Sequence, residues 1–290
     1  MKNFKQLFLS IVCLAATSLS VNAQQDSTGM PGDHFSLQGA LEMFRQSASP
    51  EEFEKLINVK DNHVNNLDLN GDGETDYIKV IDKAGENAHA FVLQVAVSET
   101  ENQDIAVIEL EKTGDTTAVL QIIGDEDIFG EEIIVEASDE GDEVTDDNGG
   151  QASGPSAGFY EPIRIVVNVF FWPCVRHVYR PVYVPWVSPW RWHHYPGWWK
   201  PWHPVTWRVF HPLRLRYHRH YAVVRTHRVV VAHRVYTPFR VRSVTVRTRT
   251  TVVRNNYRVS QTRSTNVIRD NNRNNNNNKK ARGKVKRRNG

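Results

Sequence analysis

The sequence predicts an α+β fold in which N-terminal helices lie on an antiparallel β-meander. Three observations carry this reading. Apolar residues recur at helical spacing over residues 37–57. The period then falls to two in five short runs over 77–136, separated by turn residues. Charge divides the chain: residues 24–160 hold 31 Asp and Glu against 6 Lys and Arg, and residues 161–290 hold 2 against 28. The second half is predicted as a basic, aromatic β-ribbon or extended region that ends in a disordered tail.

The chain starts like a secretory signal. Lys2 and Lys5 precede an apolar run over 7–16, and Val21-Asn22-Ala23 supplies small residues for cleavage after Ala23. The run is shorter than the roughly 20 residues that span a bilayer. Val12 stands before Cys13 where a lipoprotein wants Gly, Ala or Ser. The expectation is an exported protein, located in a periplasm, on an outer-membrane surface or outside the cell, with signal 1–23 and a flexible start over 24–35. Cys174 is then the one cysteine left, so no internal disulfide forms.

The acidic domain is placed at 36–137. Leu37, Leu41 and Phe44 give the first helix one apolar face. Ser49-Pro50-Glu51-Glu52 starts the second: Ser49 caps, Pro50 suits the first helical position, and Glu52 can close a capping box. Phe53, Leu56 and Ile57 form its apolar face. Strands are predicted over 77–81, 88–97, 105–112, 118–123 and 132–136, with turns at Ala84-Gly85-Glu86-Asn87 and Thr113-Gly114-Asp115. Short connections of this kind favour an antiparallel meander.

Between helices and strands lies Asp68-Leu69-Asn70-Gly71-Asp72-Gly73-Glu74-Thr75-Asp76, with oxygen-bearing residues at every second position. A hard cation such as calcium takes six to eight oxygens at about 2.3–2.6 Å. Asp68, Asn70 and Asp72 can converge in a tight loop, Gly73 permits the turn, Glu74 offers its carbonyl, and Asp76 closes the shell directly or through water. The alternative is a polar hairpin loop without metal. The segment resembles the calcium loops of the dockerin, thrombospondin type 3 and FG-GAP repeat families. The resemblance covers about ten residues and is nearest the FG-GAP arrangement, because strands flank the loop and Lys79 stands where an EF-hand has its twelfth-position Glu. It implies a structural calcium held by Asp68, Asn70, Asp72, Glu74 and Asp76.

Residues 138–160 lose apolar periodicity and read as an acidic, disordered linker. All eight Trp then fall between Trp172 and Trp207, interleaved with Pro and His. Repeated Pro favours extended backbone over 189–204. This segment is similar to Trp/Pro-rich cationic membrane-active peptides, which implies peripheral membrane contact. Residues 162–172 read as a strand. Over 213–221 and 239–247 apolar and basic residues alternate, which in a strand makes one cationic face. So uniform a face calls for an anionic partner or the acidic domain opposite it. His218 and His220 share one strand face and His193 adjoins His194, enough for two zinc, copper or nickel ligands; a pH-sensitive cationic surface is the favoured reading. Residues 261–290 read as a disordered polycationic tail.

The chain shows no Gly-x-Ser-x-Gly, no His-Glu-x-x-His and no phosphate-cradling Gly-rich loop, so no enzyme is expected. Its layout is similar to uncharacterised exported proteins of Gram-negative envelopes. The expected function is a cell-envelope binding or structural protein. It would adsorb through its basic aromatic half to anionic polysaccharide, lipopolysaccharide or nucleic acid. The alternatives are a self-masked membrane-active protein released by proteolysis and a His-rich metal binder.

Overall fold

The computed structural model describes residues 27–138, 166–260 and 262. The expectations for the signal 1–23, for most of the linker and for almost all of the tail fall outside those residues.

Two helices open the fold where the caps predict them. Helix α1 (Leu37–Gln46) is capped by Ser36, whose side chain accepts from the Gly39 N–H, and α2 (Pro50–Ile57) by Ser49, which accepts from the Glu52 N–H. Glu52 reaches back to the Ala48 N–H at 2.7 Å, one residue short of a standard capping box. Phe44 joins the two helices to the sheet, meeting Phe53 edge-on at 5.2 Å and Phe91 at 5.1 Å between ring centroids.

The meander follows as β1 (Ile78–Ala84), β2 (Ala88–Ala96), β3 (Asn102–Gly114), β4 (Thr117–Gly124) and β5 (Ile133–Ala137), with a four-residue helix α3 (Glu126–Phe129) before β5. A sixth strand, β6 (Tyr221–Val224), comes from the basic half and pairs antiparallel with β5, so sheet order equals chain order. The predicted α+β class therefore holds, with helices and an antiparallel sheet in the expected sequence.

Period-two alternation sends side chains to two faces, and both faces are covered. Ile78, Val80, Phe91, Leu93, Ile108, Leu110, Leu120, Ile122 and Val135 form the larger core with α1, α2 and α4 (Pro173–Val178). Ala90, Val92, Val107, Ile123 and Ile134 lie on the other face, against Tyr236 of α6 (Val230–Tyr236). Val229 and Ala232 extend that contact to Ala88. The basic half is thus the second cover of the acidic sheet.

Three expectations are corrected. Residues 27–35 are not a flexible start: Met30 and Phe35 are buried, and Asp33 accepts from Ser27 Oγ, Thr28 Oγ1 and the Gly29 N–H. Described residues 166–169 form no strand; Asn168 and Val169 bond Thr116 and Ala118 at the start of β4, beyond its pairing with β5, and the chain then enters α4.

The third correction falls on the alternating runs 213–221 and 239–247, expected as strands with one cationic face within the extended or β region over 161–260. Residues 213–221 span the end of α5 (Trp207–Arg214), a 3₁₀ turn (Leu215–His220) and the first residue of β6. Residues 239–247 run from a second 3₁₀ turn into a helix, α7, over 244–260. The reason is a coincidence of periods. Over eight residues alternation satisfies a strand, yet Val246, Thr250, Val253 and Tyr257 stand four, three and four apart and turn inward, which is a helical stripe.

Candidate functional site

The loop at 68–76 is wound tightly on its own side chains. Asp68 Oδ1 accepts from the Gly71 N–H at 2.7 Å and Asp68 Oδ2 from the Gly73 N–H at 3.0 Å. Asn70 Oδ1 accepts from the Asp72 N–H, and Asp72 Oδ1 from the Glu74 N–H, both at 2.8 Å. Gly71 and Gly73 have φ of 78° and 83°, a left-handed backbone that side chains oppose. Asp76 is buried and accepts from the Leu69 N–H. Burial pushes its carboxyl up to about 7, and the carboxylates of Asp68 and Asp72 add to the rise. The second half fastens the loop from outside: Arg249 donates to the Leu69 and Asn70 carbonyls, the Thr75 N–H bonds Trp202 O at 2.8 Å, and His203 Nδ1 lies 2.9 Å from Gly73 O.

The Trp-rich segment runs from this loop to the β1 edge. Trp199 is buried and meets Tyr77 edge-on at 5.1 Å. Asp82 N–H bonds Trp186 O at 2.7 Å and Ser188 N–H bonds Val80 O at 3.1 Å, so residues 186–188 cover an edge that would otherwise invite pairing. Glu54 of α2 is the anchor beneath. It is 2 % exposed and accepts from Tyr77 OH, Val80 N–H, Trp186 Nε1 and Ser188 Oγ at 2.8–3.1 Å. Burial raises its carboxyl above the usual range, and those four donors oppose the rise. Outside the anchor the same segment leaves Val182, Val184 and Val187 in solvent at 86 %, 79 % and 61 % exposure, among exposed Arg176, Arg180 and Arg191.

Opposite charges meet on the α3 side. Arg240 holds Asp125 at 2.6 Å, Arg242 holds Glu126 at 2.5 Å, and Arg254 pairs with Asp127. Arg228 pairs with Glu136 of β5 at 3.3 Å. Glu109, at the centre of β3, is different. It is fully buried and faces two imidazoles, His227 Nε2 at 2.6 Å and His233 Nδ1 at 2.8 Å. The two rings stand at 84° with centroids 4.5 Å apart. Burial pushes the Glu109 carboxyl up to about 9, helped by Glu132 and Glu111. Burial lowers His227, and His233 lowers it further.

Among the described residues, Glu109, His227 and His233 are the one group of three His, Cys, Asp or Glu whose ligand atoms lie within 4.8 Å of one another. The loop carboxylates of Asp68, Asp72 and Asp76 do not form such a group. His218 and His220 do not share a strand face. They are exposed residues of a 3₁₀ turn, where positions two apart point in different directions. His193 and His194 occupy the tight turn that bridges Arg191 to His194, with His193 at φ 55°. Cys174 is buried, and burial pushes its thiol up to about 12.

The Glu109 group was missed because Glu109-Leu110-Glu111 reads as an ordinary solvated strand face, and its partners lie 118 and 124 residues further on. The two histidines gave no signal by spacing. No family model, curated protein or solved structure matches this chain. What the fold and sites define is an α+β protein whose acidic sheet is clad by its own basic half.

Proposed function

We propose that the protein is an exported cell-envelope binding protein that adsorbs to an anionic amphiphile of the lipopolysaccharide kind. The observation that supports this is the ridge over 176–191. Its residues 186–188 are pinned to β1, and the segment presents three exposed valines and three exposed arginines. Valines held in water favour an apolar phase, at about 0.8 kcal/mol per buried CH₂. Arginines of the same segment favour phosphate and carboxylate groups. The role is binding, with no catalytic step. A second reading, self-masking, draws on the ion pairs of Asp125, Glu126 and Asp127 with Arg240, Arg242 and Arg254. In it the acidic half holds basic residues that become free only once the halves have been cut apart and have separated.

The test is co-sedimentation of the mature protein with lipopolysaccharide vesicles and with DNA across a salt series. Binding to vesicles should release at high salt, since exposed charges are screened within about 10 Å at 0.1 M. Val182→Asp with Val184→Asp should weaken vesicle binding at least about tenfold. No vesicle binding, or binding indifferent to the valines, removes the proposal. Binding that appears only after the linker is cut favours self-masking, and binding to DNA alone transfers the partner to nucleic acid.

Loop 68–76 is proposed to hold a structural calcium. The fit rests on inward-turned Asp68, Asn70 and Asp72 side chains and on a buried Asp76 that two neighbouring carboxylates disfavour as an anion. A dication would relieve that repulsion as the loop carboxylates drew in around it, with the Glu74 carbonyl completing the set. Calcium at 100 times its Kd would add about 2.7 kcal/mol of stability. The expected result is a rise in Tm with calcium that Asp68→Asn with Asp72→Asn abolishes. A melting curve unmoved by millimolar calcium would rule the site out.

A further inference from the structure

Glu109 stands apart from the other buried acids on its face of the sheet. Glu136, Asp125 and Asp127 each face an arginine, and Asp104 is met by Gln94, Tyr236 and the Val241 N–H. Glu109 forms no pair with Arg or Lys among the described residues; Arg228, adjacent to His227, turns to Glu136. Glu111 and Glu132 both act on Glu109 and add to the negative potential there. The Glu109 carboxylate and the two imidazoles, with no Arg or Lys paired to them among the described residues, form a donor set for a dication.

The backbone beside the two imidazoles is also held. Gln121 of β4 brackets His227: its Nε2 donates to Thr226 O at 2.9 Å, and its Oε1 accepts from the Arg228 N–H at 2.8 Å. Glu111 Oε1 accepts from the Val231 and Ala232 N–H groups at the start of α6 and so fixes the turn that carries His233. These contacts fix the backbone from which both rings project. On the open side His233 and Glu132 line a cavity of about 110 Å³ with Tyr236 and Arg240.

We propose that Glu109, His227 and His233 form a binding site for a borderline divalent transition ion of the zinc class. Imidazole nitrogen and carboxylate oxygen bind zinc at about 2.0–2.2 Å, which sets ligand atoms about 3.3 Å apart in a tetrahedron. The present 2.6 and 2.8 Å separations must open by about 0.5–0.7 Å. The imidazoles, 24 % and 38 % exposed, have room to do so. His227 would offer the lone pair of Nε2 and His233 that of Nδ1, with each proton on the other ring nitrogen. Hard calcium prefers an all-oxygen shell, so this site and loop 68–76 select different ions.

Zinc and cobalt titrations of the metal-stripped mature protein test this. One equivalent should bind at micromolar concentration or tighter. Glu109→Gln, and His227→Gln with His233→Gln, should each weaken it about 100-fold, while His218→Gln with His220→Gln should leave it unchanged. Cobalt bound to the unmutated protein should show the intense visible bands of a four-coordinate ion, a readout independent of whether the variants fold. No binding at micromolar zinc overturns the proposal. So does binding that survives loss of His227 and His233, or a weak six-coordinate cobalt spectrum. None of these outcomes bears on adsorption by the ridge.

Discussion

A chain that stops at residue 150 is expected not to fold. It would keep α1, α2 and five strands, yet one face of its sheet would lie open. Val92, Val107, Ile123 and Ile134 lie on that face, under residues of the basic half. At about 2 kcal/mol for each side chain, their exposure forfeits roughly 8 kcal/mol. A domain of this size has about 5–15 kcal/mol of net stability, so the loss is comparable with the whole. Charge adds to it. Asp125, Asp127 and Glu136 would lose Arg240, Arg254 and Arg228, which leaves the net negative charge of the acidic half uncompensated and self-repelling. Fragments 24–150 and 151–290 should each show no cooperative thermal transition by circular dichroism, and an equimolar mixture should recover one. A cooperative transition in 24–150 alone would show that the acidic half is self-sufficient.

The same contacts explain what could be read from the sequence. Helices α1 and α2 announce themselves locally, through Ser36, Ser49 and Pro50 and through apolar faces at helical spacing. The five strands are local as well, since each needs only alternation and a turn. Both signals depend on residues fewer than ten apart. The basic half carries weaker local signals. Its alternation of Arg and Val fits two periods at once over a short run, and the longer stripe through Val246, Thr250, Val253 and Tyr257 decides for a helix. Loop 68–76 was legible as a candidate because all its donors lie within nine residues. Glu109 was not, because a buried acid differs from an exposed one only by what folds over it. Charge asymmetry was the one long-range clue, and it pointed to an acidic domain opposite the basic segments without naming a pair.

Polar contacts also mark where the halves join. Tyr221 OH donates to Glu42 at 2.6 Å, Tyr183 OH to Asp82 at 2.8 Å, and Gln103 Oε1 accepts from the Ser243 N–H at 2.8 Å. Each buried polar group is met by one more than 100 residues away. Such pairing fixes register, because a slipped partner leaves a buried group unmet at about 1–3 kcal/mol.

Glu54→Ala is the single substitution expected to cost most, about 4 kcal/mol. Two opposing terms set that figure. Burying a carboxylate costs several kcal/mol, which its removal returns. Against this, the carboxylate accepts four bonds, and hydrogen bonds to a charged group contribute about 1.5–3 kcal/mol each. Alanine strands the donors. Tyr77 OH and the Val80 N–H are buried with no route to water, while Trp186 Nε1 and Ser188 Oγ are partly exposed and can rehydrate. The first two therefore dominate the loss. Urea unfolding should show a lower midpoint with an unchanged slope, the signature of lost stability in an unaltered unfolding reaction. The effect has a place as well as a size. With Trp186 and Ser188 released, residues 176–191 should become sensitive to protease before the sheet unfolds. Glu54→Gln presents one acceptor oxygen and one donor NH₂ to four donors, so it should recover only part of the loss, at about 2–3 kcal/mol. A cost under about 1 kcal/mol for Glu54→Ala would mean that the four bonds do no more than offset the burial of the charge. The apolar packing of the Trp segment on Tyr77 would then be what holds the strap to the sheet edge.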